Sequence, residues 1–63
     1  MNSYAKAFRS AFLNETNQSI FTLHACFTGA CLGLEENGTL DDFLAVTNEF
    51  RKLEKEISIK EAV

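Results

Sequence analysis

Apolar residues recur every three or four positions along two segments of the chain. The first segment contains Ile20, Leu23, Phe27, Ala30 and Leu34, and the second contains Phe43, Val46, Phe50, Leu53 and Ile57. This spacing is typical of helices with one apolar face. Asn37 and Gly38 between the segments suit a left-handed helix C-cap, and Thr39 suits an N-cap. We therefore predict an all-α antiparallel helical hairpin, with a second helix that begins at Thr39 and ends near Ile57.

The N-terminal third has a weaker pattern, with aromatic residues four positions apart at Tyr4, Phe8 and Phe12. Residues 14–19 are all polar, and two interpretations remain open. Either one helix covers residues 3–34, or a short helix ends near Leu13 and Thr16 or Asn17 caps a second one. Because no Gly or Pro interrupts residues 14–19, we favour a single long or kinked first helix.

Residues 20–34 are apolar beyond a single face, which favours packing against more than one neighbour. The chain has only 63 residues, few enough for one domain at most, and domains of this size are marginally stable alone. We therefore predict one domain over residues 1–63 that assembles into a homodimeric helical bundle. The residues expected at the self-association surface are Ile20, Phe21, Leu23, Ala25, Phe27, Gly29 and Leu32. An alternative remains open, in which Gly29 leaves room for a Phe of the same hairpin and Gly33 loosens the helix end.

The charge distribution opposes binding to nucleic acids. Lys and Arg number 6 against 9 Asp and Glu, and residues 10–50 contain no basic side chain apart from His24. Nucleic-acid binding needs cations that replace counterions on the phosphates. A helix-turn-helix regulator is kept as the alternative function, although its recognition helix would carry three acids and no base. Glu49 and Lys52 are expected to form an exposed ion pair along the second helix.

No residue pattern predicts catalysis, a metal or a cofactor. His24, Cys26 and Cys31 lack the paired spacing of zinc ligands, and His24 and Cys26 point about 200° apart on a helix. The connection between the helices partly follows a calcium-binding loop, but Gly33 and Leu44 occupy the positions of its strongest ligands. We therefore predict a non-enzymatic protein with reduced, buried cysteines, as is usual in the cytosol.

No membrane segment is predicted either. Residues 20–34 form the longest apolar stretch, but a membrane span needs about 20 residues, and this stretch includes a His, two Thr and two Gly. The N-terminal residues are followed by a polar run instead of the apolar run of a signal peptide. The expected partners therefore exclude membranes.

The segment LHACFTGACLGLEENGTLDDFLAVTNEF, together with the length of 63 residues, resembles the small early protein encoded between the exonuclease and excisionase genes of lambdoid phages. The resemblance covers the whole chain and contains no catalytic or ligand-binding motif, so it transfers no site residue. It implies a non-enzymatic product of early infection in the host cytoplasm, one that alters host physiology or the balance between lytic growth and lysogeny. The implied mode of action is binding to a host or phage protein.

Two surfaces are candidates for contact with such a partner. One is the aromatic stripe of Tyr4, Phe8 and Phe12, which a long first helix would leave exposed. The other is the acidic tip of the hairpin, formed by Glu35, Glu36, Asp41 and Asp42. We favour the aromatic stripe as the source of affinity, because buried aromatic residues dominate interface energies while exposed charges mainly set association rates.

Overall fold

The structure is a computed structural model that describes residues 1–62, with side-chain environments through residue 60. It contains three helices, which are α1 (Ser3–Leu13), α2 (Ile20–Asn37) and α3 (Leu40–Ala62), and no strand within the described residues. Each helix packs against the other two. The all-α class is confirmed, but a hairpin of two helices does not describe the fold, because α1 is a separate third element.

The break between α1 and α2 corrects our preference for one long first helix. α1 ends at Leu13, as the alternative interpretation proposed, and α2 begins at Ile20. The N-cap of α2 is Ser19 and not Thr16 or Asn17, since the Ser19 hydroxyl accepts a hydrogen bond from the backbone N–H of Thr22 at 3.3 Å. Asn2 caps α1 in the same way.

The core explains why the chain breaks at this point. The buried apolar residues come from all three helices and are Ala5, Phe8, Phe12, Leu23, Leu34, Val46, Leu53 and Ile57. The Phe8 ring lies 6.0 Å from that of Phe27, which lies 4.5 Å from that of Phe50. Burying one such side chain contributes about 1.5–3 kcal/mol. Interrupting the helix lets α1 fold back and bury Phe8 and Phe12, which a continuous helix would leave in water.

The connection between α2 and α3 is held by local hydrogen bonds. The Thr39 side chain accepts from the Asp42 N–H at 3.2 Å, and the Asp42 carboxylate accepts from the Thr39 N–H at 3.0 Å. This reciprocal pair confirms Thr39 as the N-cap. Gly38 has an extended backbone, with φ −89° and ψ 163°, so the predicted left-handed C-cap is wrong. Glycine is required there by space, since a Cβ would lie 2.9 Å from the Cα of Leu34.

The last helix is longer than predicted. α3 continues beyond Ile57 to Ala62, so residues 58–62 are helical although we predicted that the helix ends near Ile57. Two hydrogen-bonded contacts set α1 beside α3 in the same direction: Asn2 contacts Asp42 at 2.8 Å, and seven residues further along both helices Arg9 contacts Glu49 at 2.7 Å. α1 therefore lies along the N-terminal half of α3.

Candidate functional site

One side of α2 carries apolar residues that are exposed. Phe21 is 82% exposed and Leu32 is 60% exposed, and Ala25 and Gly29 are exposed between them. We call these four residues the outer face of α2. They are four of the seven residues predicted for self-association. A large apolar side chain this exposed is a feature of binding surfaces when neighbouring positions are also apolar.

The other three predicted self-association residues belong to the interior of the chain. Leu23 is completely buried, and Ile20 and Phe27 are half-buried against the core. Leu23 therefore has no surface to offer a second copy, and Ile20 and Phe27 have only part of theirs, because α1 and α3 pack against that side of α2. The sequence showed an apolar helix but not which neighbour covers each face.

The two glycines of α2 are not needed by contacts within the chain. A Cβ added at Gly29 or Gly33 would meet no atom within 4 Å. Neither residue has a positive φ. The alternative in which Gly29 leaves room for a Phe of the same chain is therefore wrong. An interior glycine costs a helix about 1 kcal/mol relative to alanine, and the described contacts within the chain do not offset that cost.

A groove lies between α2 and the start of α3, and we call it the tip groove. Its volume is about 390 Å³. Apolar atoms of Cys31, Leu32, Leu34 and Phe43 line it, and Glu35 stands at its polar side. Leu40 and Leu44, in the first turns of α3, are also exposed. The apolar surface thus continues from the groove along α3.

The four acidic residues predicted to form a tip have different roles. Glu35, Glu36 and Asp41 are exposed. Asp42 is half-buried, and its carboxylate accepts hydrogen bonds from the Asn2 side chain and the Thr39 backbone. The Asn2 hydrogen bond, followed by that from Thr39, lowers the pKa of Asp42. Asp42 is therefore a capping residue that ties α1 to α3. Of the other three, Glu35 lines the tip groove, and Glu36 and Asp41 are exposed in the adjoining turns; we call these three residues the acidic rim.

The predicted aromatic stripe is not a surface. Phe8 is 3% exposed and Phe12 is 2% exposed, while Tyr4 is half-buried against the same core. The expectation that these residues are free to dock in a partner is wrong. It depended on a continuous first helix that extended beyond its neighbour, and α1 instead packs its aromatic side onto α2 and α3.

Arg9 and Glu49 form an ion pair that the sequence did not predict. Glu49 is a buried residue of α3, and its carboxylate lies 2.7 Å from the Arg9 guanidinium. The expected exposed pairing of Glu49 with Lys52 is therefore wrong. The hydrogen bond to Glu49 raises the pKa of Arg9. One signal was available, because Glu49 lies three residues after Val46 and four before Leu53, which places it on the core side of the helix.

The residues capable of chemistry are dispersed. His24 is exposed, and its ring packs edge-on against Phe50 with centroids 5.2 Å apart. Cys26 and Cys31 are free, half-buried thiols, and burial raises the pKa of Cys26. Across the described side chains, no three His, Cys, Asp or Glu residues are close enough together to hold a metal ion.

Comparisons with known proteins give no relative to guide this assignment. No protein-family model, no curated protein and no solved structure matches the chain. Within the described residues, no helix combines the length and the apolar character that crossing a bilayer requires.

Proposed function

We propose that the protein is a small, non-enzymatic interaction module that forms a homodimer and acts by binding a host or phage protein. The observation that carries this proposal is the outer face of α2, where Phe21 and Leu32 are exposed at 82% and 60%. The resemblance to the lambdoid phage early protein adds the setting, which is the host cytoplasm early in infection. There the module would modify host physiology or the choice between lytic growth and lysogeny.

Self-association through the outer face is supported by its composition. Phe21 at one end supplies a large apolar contact, and aromatic residues of this kind bury about 150–250 Å² each. Ala25 and Gly29 have little or no side chain, so a second helix can approach the backbone closely. This accounts for a glycine that contacts within the chain do not require.

The area that a stable dimer needs is a small part of the exposed surface. A small specific interface buries about 600 Å² from each partner. The chain exposes 4467 Å² in total, so such an interface would cover roughly one seventh of its surface. The outer face with its flanking residues spans about three turns of α2, a length of roughly 16 Å.

Sedimentation equilibrium at micromolar concentration tests the dimer. We expect wild type to sediment as a dimer, and Phe21→Ser and Ala25→Glu to shift the equilibrium to monomer. Ile59→Ser is the matched control, because Ile59 is 57% exposed on α3 and lies outside the outer face. A wild-type monomer that unfolds cooperatively would contradict the dimer, as would equal weakening by the Ile59 control.

A nucleic-acid regulator remains the alternative function, and no described contact favours it. Glu35, Glu36 and Asp41 are exposed at the end of the molecule where the connection between α2 and α3 would approach DNA. Like charges at that position repel phosphates. Retention of the protein on duplex DNA at physiological salt, in an electrophoretic mobility assay, would overturn the interaction-module proposal.

A further inference from the structure

We infer that the tip groove binds a basic amphipathic segment of the partner protein, with an apolar side chain packed against Phe43 and with cationic side chains against the acidic rim. The inference rests on the proposed function, because it presumes that the chain acts by binding a protein. It adds the place of binding and the chemistry of the bound segment.

The lining of the groove accounts for the apolar side chain of the bound segment. Leu32 on α2 and Phe43 on α3 face the same cavity of about 390 Å³, and both remain substantially exposed. Cavities that take ligands start at about 300 Å³, so there is room for at least one large side chain. The apolar surface extends past the cavity to Leu40 and Leu44, which a small molecule in the groove would leave uncovered. A peptide helix with several apolar residues on one side covers the cavity and these two leucines.

Acidic residues at the end of α2 account for the cationic side chains of the bound segment. Glu35 and Glu36 lie in the last turn of this helix, where no basic residue is present. The C-terminal end of a helix carries a partial negative charge, so these two carboxylates are placed unfavourably. Asp41 is exposed nearby in the first turn of α3. A bound cation would offset the repulsion among these carboxylates and the end of the helix.

The charge around the groove favours an occupant from another protein over a second copy. All six Lys and Arg lie outside residues 10–50, so a second copy could offer a cation only from its two ends. Two acidic rims brought together by a symmetric contact would repel each other. The outer face of α2, which we assign to self-association, carries no charged residue and shares only Leu32 with the groove.

Fluorescence anisotropy with designed peptides tests the inference. The probe is a fluorescein-labelled helical peptide of about 16 residues, with Leu on one face and Lys on the other. Two peptides of the same length are controls, one with Ser in place of Leu and one with Glu in place of Lys. We expect saturable binding of the Leu/Lys peptide alone, weakened by added salt because exposed charges are screened.

Protein variants then locate the binding site. Glu35→Gln removes a charge at the groove, and Glu15→Gln removes one from the exposed segment between α1 and α2. We expect Glu35→Gln to weaken binding about threefold and Glu15→Gln to leave it unchanged. Thr28→Trp places a large ring in the groove without changing the charge, and we expect it to weaken binding about tenfold or more.

The outcomes separate this inference from the proposed function. Binding of the Ser/Lys peptide as tight as that of the Leu/Lys peptide would overturn the inference, because it would show charge attraction without use of the groove. Equal effects of Glu35→Gln and Glu15→Gln would overturn it as well. No peptide binding by a wild-type protein that sediments as a dimer would overturn the groove assignment alone. Retained binding by Phe21→Ser monomers would support a groove that is complete within one chain.

Discussion

Removing Arg9 should destabilise the protein more than removing its partner Glu49. The two side chains are joined at 2.7 Å, but the Arg9 side chain is 34% exposed while that of Glu49 is 4% exposed. Loss of Arg9 leaves a buried carboxylate without the guanidinium that neutralises it. Loss of Glu49 leaves a guanidinium that reaches water and still lies 3.8 Å from Glu56. The difference in exposure therefore predicts the order of the two effects.

The magnitudes follow from the same geometry. Breaking a fully buried pair costs about 3–5 kcal/mol, and partial exposure of Arg9 reduces this to about 2 kcal/mol for Arg9→Met. Glu49→Leu should cost at most about 1 kcal/mol, because the arginine stays hydrated and an apolar residue suits the site. The double variant should also lie within about 1 kcal/mol of wild type. A domain of 63 residues has a total stability of about 3–9 kcal/mol, so these differences are measurable.

Urea denaturation followed by circular dichroism at pH 7 measures all four proteins. They should be compared at one protein concentration, because self-association would make the stability concentration-dependent. The double-mutant cycle should give a coupling of about 1–2 kcal/mol between the two positions. A larger loss for Glu49→Leu than for Arg9→Met would refute the reasoning, since it would mean that the arginine is the buried partner. A coupling near zero would refute the ion pair itself.

Three further predictions concern the core, the caps and the glycine of the outer face. Phe12→Ala should lower the free energy of unfolding by about 3–5 kcal/mol and leave little folded protein. Phe21→Ala should change the stability of the monomer by less than about 0.5 kcal/mol. Urea denaturation at low protein concentration measures both, and equal losses of stability would contradict the assigned burial. The pKa of Asp42 is lowered in the folded state. The ionised carboxylate therefore stabilises the fold above the unfolded pKa, and this stabilisation is lost as the pH falls through the folded pKa. Asp42→Asn should therefore reduce the loss of stability below about pH 4. An unchanged acid profile of the urea midpoint would count against that role. Gly29→Ala should stabilise the monomer by about 1 kcal/mol, measured by thermal denaturation. It should also weaken self-association, measured by sedimentation. A strengthened dimer would show that Gly29 lies outside the contact between copies.

The parts of the fold that the sequence determined are those specified by neighbouring residues. Leu34, Val46 and Leu53 are buried as the apolar spacing of α2 and α3 requires, although Phe43 of the same series is 41% exposed. The start of α3 follows from Thr39 and Asp42, whose hydrogen bonds span only three residues. Interactions of this range depend on local sequence, so periodicity and capping rules are sufficient to predict them.

The candidate site could be predicted only in part, for a related reason. Phe21, Ala25, Gly29 and Leu32 are exposed, as the prediction for them requires, because an apolar residue outside the main stripe of a helix is visible in the spacing. Leu23 and Phe27 were assigned to the same surface because the sequence does not state which side another helix covers. The tip groove requires Leu32 and Phe43 to meet across two helices, and the spacing within either helix does not specify that meeting.

The tertiary structure alone decided where the first helix ends. Residues 14–19 contain no helix-breaking residue, and helix propensities there differ by only a few tenths of a kcal/mol per residue. Burial of Phe8 and Phe12 against α2 and α3 contributes several times more, about 1.5–3 kcal/mol for each ring. The Arg9–Glu49 pair follows from the same event, because its members are 40 residues apart and meet only after α1 folds back. Packing between distant segments outweighed local preference, and it converted an expected binding stripe into the core of the protein.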